Sequence, residues 1–356
     1  MNKSIMQWHL EPLDTHSNVQ QAAWRQLAER IDASAVQMPE LIFTCAETLG
    51  PKKLWFAKYG SHENPIAMAI VDLDSRLRPE VFVESQMPLG AWIQKPEILL
   101  TEACPRLMSH APFALQFSIR QLDPRFVARP DSTLILDTLD YIETAWVELV
   151  TDFTDYWAAR GKNLRSNMRR QRERLIKQSI TTHMEIVTAP DAVDEAVTAY
   201  AQLESRGWKA QQGTAVSETH PQFIFYRQML RKFAERGMAR IYKYYFGEKL
   251  VACELCVCRN KEMVILKTTH DESVSPFSPA SLLRQEMFEE LCDQRNIQRV
   301  EFYGPLKDWH SRWTTLKRGI YQVNTYRNPL AAAAVRTRRW ARTDGIQKSA
   351  GKSSAQ

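Results

Sequence analysis

The sequence predicts an α+β protein with a mixed, mainly antiparallel sheet flanked by helices, divided into two domains. Its 356 residues are enough for two domains of ordinary size, each with its own core. The pattern is clearest after residue 180: a strand, two helices, three strands joined by tight turns, another helix and two strands. We expect domains at residues 1–148 and 149–328, followed by a basic, disordered tail at 329–356.

The first half, residues 1–148, alternates helices and strands less regularly. Apolar residues at helical spacing predict helices at residues 18–31 and 39–49. Alternating and β-branched runs predict strands at residues 53–59, 66–73, 81–84, 114–120 and 133–136. Prolines between them, including Pro105, predict long surface loops. No catalytic constellation occurs here, so we expect a scaffold or a domain on the acceptor side.

The most basic segment is residues 151–179, which we predict as one helix after a strand at residues 141–150. Phe153, Trp157, Leu164, Met168 and Leu175 recur at spacings that give the helix one buried stripe. Eight lysines and arginines lie within residues 160–177, against a single acid. Such a face is either an ordinary solvated surface or attracts an anionic partner: a phosphorylated cofactor, tRNA or an acidic polymer.

The second half has predicted helices at residues 191–206 and 221–236. Its predicted strands are residues 183–188, 239–246, 250–259, 262–269, 299–303 and 320–326.

Residues 262–295 predict a strand, an exposed loop and a capped helix. Ser278 is a good N-cap, and the amides of Ala280, Ser281 and Leu282 then lack intrahelical partners. The helix dipole adds partial positive charge, so phosphate is a natural ligand. The small first residues would let a pyrophosphate approach, and Arg284 would add charge one turn further on. An ordinary capped helix in a core is the alternative.

Composition predicts a cytoplasmic protein without a zinc site. Mean hydropathy is −0.40, and no apolar run is long enough to span a bilayer. The N-terminus lacks an apolar signal core. Cys256 and Cys258 share one face of a predicted strand and Cys253 takes the other, and the remaining cysteines stand alone. Reduced, buried thiols are therefore expected, and no metal ligands are assigned.

The antiparallel meander that leads into a phosphate-accepting helix resembles the fold of the GNAT acetyltransferase superfamily. Four blocks resemble the motifs of its BioF2-like acetyltransferases. They are NLRSNMRR from Asn163, ESRGWK from Glu204 followed by Gly213-Thr, KTTHD from Lys267 followed by Ser278-Pro-Ala-Ser, and Lys307 followed by RWTT from Arg312. The resemblance covers residues 150–326 well and the first half loosely. It departs at Ala280, where the family usually has glycine, and at Gly207, where serine is frequent.

This family is linked to cellulose and exopolysaccharide biosynthesis and is similar to the FemAB peptidyltransferases, which carry two GNAT-like domains per chain. The resemblance implies a tandem GNAT fold whose first domain is degenerate. It also implies direct acyl transfer from acetyl-CoA or another acyl-CoA to an amine or hydroxyl, in polysaccharide or cell-envelope metabolism. The acceptor, whether saccharide, lipid-linked or amine, is not readable from the sequence.

The resemblance places the site residues beside the motif blocks. The candidate catalytic residues are Glu204, His270, Asp271 and Tyr303. The candidate acyl-CoA contacts are Leu266, Lys267, Thr268, Thr269, Ser278, Ala280, Ser281, Leu282 and Arg284. The candidate acceptor or phosphate contacts are Trp208, Lys209, Lys307 and Arg312. Each also has an ordinary explanation: Glu204 as a helix-end acid, Trp208 and Tyr303 as core residues, and the cations as solvated charge.

Two other functions stay open at this point. A FemAB-like aminoacyl transferase would take its aminoacyl group from charged tRNA and use the basic helix to bind RNA. A non-enzymatic module of polysaccharide assembly would keep the fold without the chemistry.

Overall fold

A computed structural model describes residues 6–61, 63–205 and 220–339. Its strands are β1 (Trp8–Pro12), β2 (Trp55–Gly60), β3 (Pro65–Asp72), β4 (Glu80–Val81), β5 (Trp92–Gln94), β6 (Gln116–Leu122), β7 (Leu136–Glu148), β8 (Thr182–Val187), β9 (Ala239–Phe246), β10 (Lys249–Arg259), β11 (Glu262–His270), β12 (Arg299–Glu301) and β13 (Lys317–Tyr326). Its helices are α1 (Asn18–Arg30), α2 (Pro39–Thr48), α3 (Leu100–Met108), α4 (Phe153–Ala158), α5 (Lys162–Lys177), α6 (Val193–Ser205), α7 (Pro221–Ala234), α8 (Pro279–Gln294) and α9 (residues 329–339).

The strands form one continuous sheet in the order β1-β2-β3-β4-β6-β13-β7-β12-β11-β10-β9-β8, with β5 beside β3. Of the strand pairs in the described residues, β4 with β6 and β11 with β12 run parallel, and the rest are antiparallel. The predicted mixed, mainly antiparallel sheet is therefore confirmed. The meander β9-β10-β11 agrees closely with the sequence prediction, because its tight turns and apolar alternation are local signals.

Strand β7 joins the two halves of the sheet. Its first part pairs with β13 over Leu136 to Ala145, and its last residues pair with β12. Strand β13 lies between β7 and β6, so the last strand of the chain sits among strands of the first half. The division of the chain into domains at residue 148 stays a prediction.

Helices cover both faces of the sheet. On one face α1, α2, α6 and α7 share a single buried cluster that runs through both halves, with α2 packed against α7. On the other face α4, α5 and α8 bury Leu164, Met168 and Phe288 against the second-half strands and Trp313. This arrangement places α8 and α5 on the same side of the sheet.

Four local predictions were wrong. The strands expected at residues 133–136 and 141–150 are one strand, β7, and residues 329–339 of the expected disordered tail form α9. The single helix expected at residues 151–179 is broken into α4 and α5, because Gly161 is an extended N-cap for α5 (φ −58°, ψ 141°). Pro105 lies inside α3 rather than in a surface loop. Burial of Leu100, Ala103, Cys104 and Leu107 outweighs the cost of an interior proline in that short helix.

Candidate active site

The sheet opens between the parallel strands β11 and β12. They pair only from Glu262 to Val264, opposite Arg299 to Glu301. The rest of β11, residues 265–270, pairs with no strand on that edge within the described part of the chain. Just after β12, Tyr303 adopts a positive φ of 48°, which interrupts the extended backbone. The result is a gap with an open strand edge on one side.

A β-bulge lies at the start of this open edge. Leu255 of β10 is opposite Lys267, and the next residue, Cys256, is opposite Ile265, so Leu266 has no partner in the ladder. A bulge re-aims the backbone locally and is frequent beside active sites. Predicted acyl-CoA contacts Leu266, Lys267, Thr268 and Thr269 all belong to this stretch.

A cavity of about 250 Å³ lies at the gap. Its wall combines Leu266 and Lys267 from β11, Tyr303 beyond β12, Tyr226 from α7 and Gln86 from the first half. The ammonium of Lys267 lies 5.5 Å from the ring centroid of Tyr226, and the Tyr226 hydroxyl donates to Oε1 of Gln86 at 2.9 Å. Both halves of the chain therefore build this wall.

A larger cavity of about 640 Å³ adjoins it on the first half. Ser85, Gln121 and Tyr141 line both cavities, so the two are adjacent. Sequence reasoning missed this region and Tyr226, because the lining residues come from distant points of the chain and form no motif.

The start of α8 follows the open edge in the chain. Ser278 is its N-cap, as predicted, but in a left-handed conformation (φ 54°) and without a side-chain capping bond. The amides of Ser281 and Leu282 donate to the Ser278 carbonyl at 2.9 and 3.1 Å. The expectation of three open amides is therefore wrong: Ala280 carries the first-turn amide that has no backbone partner in the described residues.

Arg284 does not face the start of the helix. It is 4% exposed and donates through Nη2 to Oε1 of Glu254, which is fully buried on β10. The prediction that Arg284 adds charge for a phosphate is corrected, since its charge is balanced inside the protein.

The candidate proton acceptors differ in environment. Glu204 is 3% exposed at the end of α6, and the Tyr200 hydroxyl donates to its Oε1 at 3.0 Å. Burial and then Glu204 raise the pKa of Tyr200 well above its ordinary value. Burial chiefly, and Glu204 among the nearby charges, also raise the pKa of Tyr226.

Asp271 is a weaker candidate than the sequence indicated. Its Oδ2 lies 2.6 Å from Nζ of Lys249, and its Oδ1 accepts from the Ser273 amide at 2.8 Å. Partial burial alone would raise its pKa, but the Lys249 and Ser273 hydrogen bonds hold the pKa below the ordinary value. A carboxylate so stabilised is a poor proton acceptor. His270 is half-buried at the end of β11.

Tyr303 is engaged with the first half. Its hydroxyl donates to Oδ2 of Asp123 at 2.9 Å, and Asp123 is also held by Arg318. Burial and then Asp123 raise the pKa of Tyr303 well above its ordinary value, so the hydroxyl stays protonated.

The candidate acceptor contacts are less informative. Lys307 and Arg312 are exposed in the segment between β12 and β13. Trp208 and Lys209 lie outside the described residues.

Within the described residues, no group of three or more His, Cys, Asp or Glu side chains is arranged to hold a metal ion. No helix among them is long and apolar enough to cross a membrane.

Comparisons with known proteins agree with this topology. Residues 162–311 match the model of the acetyltransferase (GNAT) domain. A comparison with curated proteins gives no match. The finer resemblance to BioF2-like acetyltransferases and the link to polysaccharide biosynthesis stay predictions.

Three solved structures are similar over most of the chain. The C-terminal domain of a putative lysylphosphatidylglycerol synthetase from Agrobacterium fabrum has 14% identity and a TM-score of 0.52, over 88% of this chain and 95% of that one. L-PGS from Bacillus licheniformis has 15% identity and a TM-score of 0.52, over 91% and 96%. FemX has 10% identity and a TM-score of 0.55, over 91% and 99%. At such identities the likeness concerns the fold. The chain therefore has the predicted α+β fold with a mixed sheet flanked by helices, and residues 162–311 form a GNAT-type domain, whereas the tandem arrangement of two such domains stays a prediction.

Proposed function

We propose that the protein is an acyltransferase that moves an acyl group from an acyl-CoA directly to an amine or hydroxyl acceptor. The observation that carries this proposal is the gap between β11 and β12, with the bulge at Leu266 on its edge and α8 directly after it. The match of residues 162–311 to the GNAT domain supports the same reaction class.

The residues at the gap fit an acyl-CoA. Such a co-substrate supplies an acyl group activated as a thioester. Backbone groups of Leu266, Thr268 and Thr269 lie on the open edge and would bind its thioester end. The Ala280 amide at the start of α8, beside half-buried Ser281, suits the pyrophosphate end. Ala280 retains the small size that close approach to the backbone requires.

Direct transfer also needs a group that accepts the proton of the attacking amine or hydroxyl. We assign this role to Glu204, because it is a buried carboxylate that accepts a hydrogen bond from Tyr200, and it belongs to one of the motif blocks of the resembling family. Asp271 is less suited, since Lys249 and Ser273 stabilise its charged form. Tyr303 holds its proton and shapes the wall beside the gap.

The larger cavity, adjacent to the one at the gap, is where we place the acceptor. The larger one is lined by Asp72, Glu80 and Glu84, against the single cation Arg120, which pairs with Glu80 at 2.7 Å. This charge balance favours an amine acceptor over an anionic one. A role in polysaccharide or cell-envelope metabolism rests on the sequence resemblance alone.

One observation favours tRNA-dependent aminoacyl transfer as the second candidate. Arg165, Arg169, Arg170 and Lys177 are exposed on α5, the basic helix beside α8. A row of exposed cations is suited to a phosphate backbone. By contrast, Arg172 donates a hydrogen bond to the Glu286 carboxylate, and Arg174 donates one to the Pro276 carbonyl.

Calorimetric titration with acetyl-CoA and desulfo-CoA, at moderate and high salt, tests the main proposal. We expect binding in about the micromolar range that survives high salt. Absent acyl-CoA binding, together with tRNA binding that falls steeply with salt, would favour the second candidate. If neither ligand binds, a non-enzymatic module of polysaccharide assembly is the remaining function.

We also place the protein in the cytoplasm. All six cysteines are free and buried, which supports a reducing compartment. Fractionation of cells, with antibody detection of the full chain, tests this placement.

A further inference from the structure

A buried ion pair ties α8 to the centre of the sheet. Glu254 on β10 is 0% exposed and Arg284 on α8 is 4% exposed. Oε1 of Glu254 accepts a hydrogen bond from Nη2 of Arg284. The same oxygen accepts from the Thr268 hydroxyl of β11 at 3.3 Å. One carboxylate therefore connects the helix to the open strand edge.

The segment after β12 packs on the same guanidinium. Cζ of Arg284 lies 4.6 Å from the ring centroid of Trp309, 5.7 Å from Phe302 and 5.9 Å from Trp313. These distances are in the range of cation–π contacts. Helix α8, the edge of β11 and the chain on the far side of the gap therefore meet at this one ion pair.

The pair is incompletely satisfied. Oε2 of Glu254 and Nε of Arg284 are buried and have no hydrogen-bond partner in the described residues. A buried ion pair with unmet groups contributes little to stability, and apolar residues of similar volume often serve as well or better. Stability alone does not account for its presence, whereas a need for fixed geometry around the gap does.

We propose that Glu254 and Arg284 are positioning residues, which hold the first turn of α8 at a set distance from the open edge of β11. They act through the backbone that they hold and not by touching substrate. For acyl-CoA binding the inference rests on the proposed function, since the two held parts would bind opposite ends of that molecule. The positioning itself can be measured without any ligand.

The main test is the double variant Glu254→Leu with Arg284→Met, which replaces the pair by apolar side chains of similar size. We expect its thermal unfolding midpoint to be unchanged or higher. We expect hydrogen exchange in peptides covering residues 266–270 and 278–284 to accelerate about tenfold, and the Kd for acetyl-CoA to rise about tenfold, because the two parts lose their fixed spacing. Unchanged exchange and affinity in a folded double variant would overturn the inference.

A matched control lies on the same helix. Glu290 of α8 pairs with Arg240 of β9 at 3.4 Å, with both side chains mostly buried and far from the first turn. Glu290→Leu with Arg240→Met should leave exchange at residues 278–284 and acyl-CoA affinity unchanged. An equal effect of both double variants would mean general loosening of the helix, and would contradict a positioning role for Glu254 and Arg284.

A milder variant tests the same inference if the double variant fails to fold. Arg284→Lys keeps the charge but loses the planar group that stacks on Trp309, and we expect about threefold faster exchange at residues 278–284. No acceleration there would contradict the inference. If the wild-type protein binds no acyl-CoA while exchange responds as expected, the proposed function fails and the positioning role stands.

Discussion

Two groups of buried ion pairs lie near the gap between β11 and β12, and they differ in how fully their charges are satisfied. Where the strands still pair, Glu262, Glu301 and Asp123 meet the arginines 125, 299 and 318. Each oxygen of these three carboxylates has a partner. In the second group, Glu254 and Arg284 each have one buried polar atom that has no hydrogen-bond partner in the described residues.

The difference separates a structural cluster from a functional region. The first cluster joins residues of the first half, such as Ser34 and Arg125, to β11 and β12 of the second half. Its complete hydrogen bonding is what a permanent junction requires, because a buried charge without a partner is costly. The second region adjoins the open strand edge, where a fixed geometry matters more than stability.

Glu301→Gln should have the largest effect on stability. Glu301 is fully buried and accepts from Arg125, Arg299 and Arg318, so the variant leaves guanidinium charge uncompensated at the junction. We expect a loss of about 3–5 kcal/mol in the free energy of unfolding, measured by urea denaturation. Half-exposed Glu148, 3.9 Å from Arg299, is the control, and Glu148→Gln should change stability by less than about 0.5 kcal/mol. An equal loss of stability in Glu301→Gln and Glu148→Gln would show that the buried cluster is no more important for stability than an exposed ion pair.

The pH dependence of stability should report on the surroundings of His310, in the segment between β12 and β13. Burial chiefly, with Arg284 and Lys307 nearby, lowers the pKa of His310 from 6.5 to about 4, and its Nδ1 accepts from the Lys307 amide. As the pH falls, the unfolded chain protonates His310 at a higher pH than the folded protein does. The contribution of the neutral ring to the free energy of unfolding is therefore complete above pH 6.5 and is lost as the pH falls towards 4. We expect a loss of roughly 3 kcal/mol across that range.

His310→Asn should flatten this part of the stability profile, which urea denaturation at several pH values measures. His16, with its side chain 77% exposed, is the control, and His16→Asn should leave the slope unchanged. A wild-type profile no steeper than that of His310→Asn between pH 4 and 6.5 would show that the His310 environment is not as described.

Glu204→Gln should lower turnover about 100-fold with little change in acyl-CoA affinity, since it removes a proton acceptor and not a binding group. Steady-state rates with an amine acceptor, together with calorimetric Kd values, measure the two quantities. Glu195 on the same helix is exposed, so Glu195→Gln is the matched control. Normal turnover in Glu204→Gln would exclude Glu204 as the proton acceptor.

Ala280→Trp should weaken acetyl-CoA binding at least about tenfold while the unfolding midpoint stays near the wild-type value. The bulky side chain would stand beside the open amide at the start of α8, far from the fully satisfied cluster. Ala280→Gly, which restores the residue usual in the resembling family, should bind at least as tightly as wild type. Unchanged affinity in the tryptophan variant would remove α8 from the binding site.

The second half was predictable because its signals are local. Strand β9 has the predicted bounds, and β10 and β11 differ from their predictions by one residue at one end, since tight turns and apolar alternation mark them directly. The gap itself was not predicted, because the pairing of β11 with β12 spans an intervening helix and leaves no local signal in the sequence.

The site residues were harder to predict, because burial depends on distant partners. Arg284 occupies a plausible position for binding phosphate when α8 is considered alone. Only the tertiary structure shows Glu254 beneath it and the Trp309 ring against it. Likewise, nothing local in the sequence indicates that Tyr303 donates its hydroxyl to Asp123 of the first half.

Strand β13 has a consequence for how the chain folds during synthesis. It inserts between β6 and β7, so the first-half sheet is incomplete until residues 317–326 have left the ribosome. Until then the facing edges of β6 and β7 lack their native partner, and unpaired strand edges promote aggregation. A nascent chain that ends before residue 317 should therefore depend on chaperones more than the complete chain does.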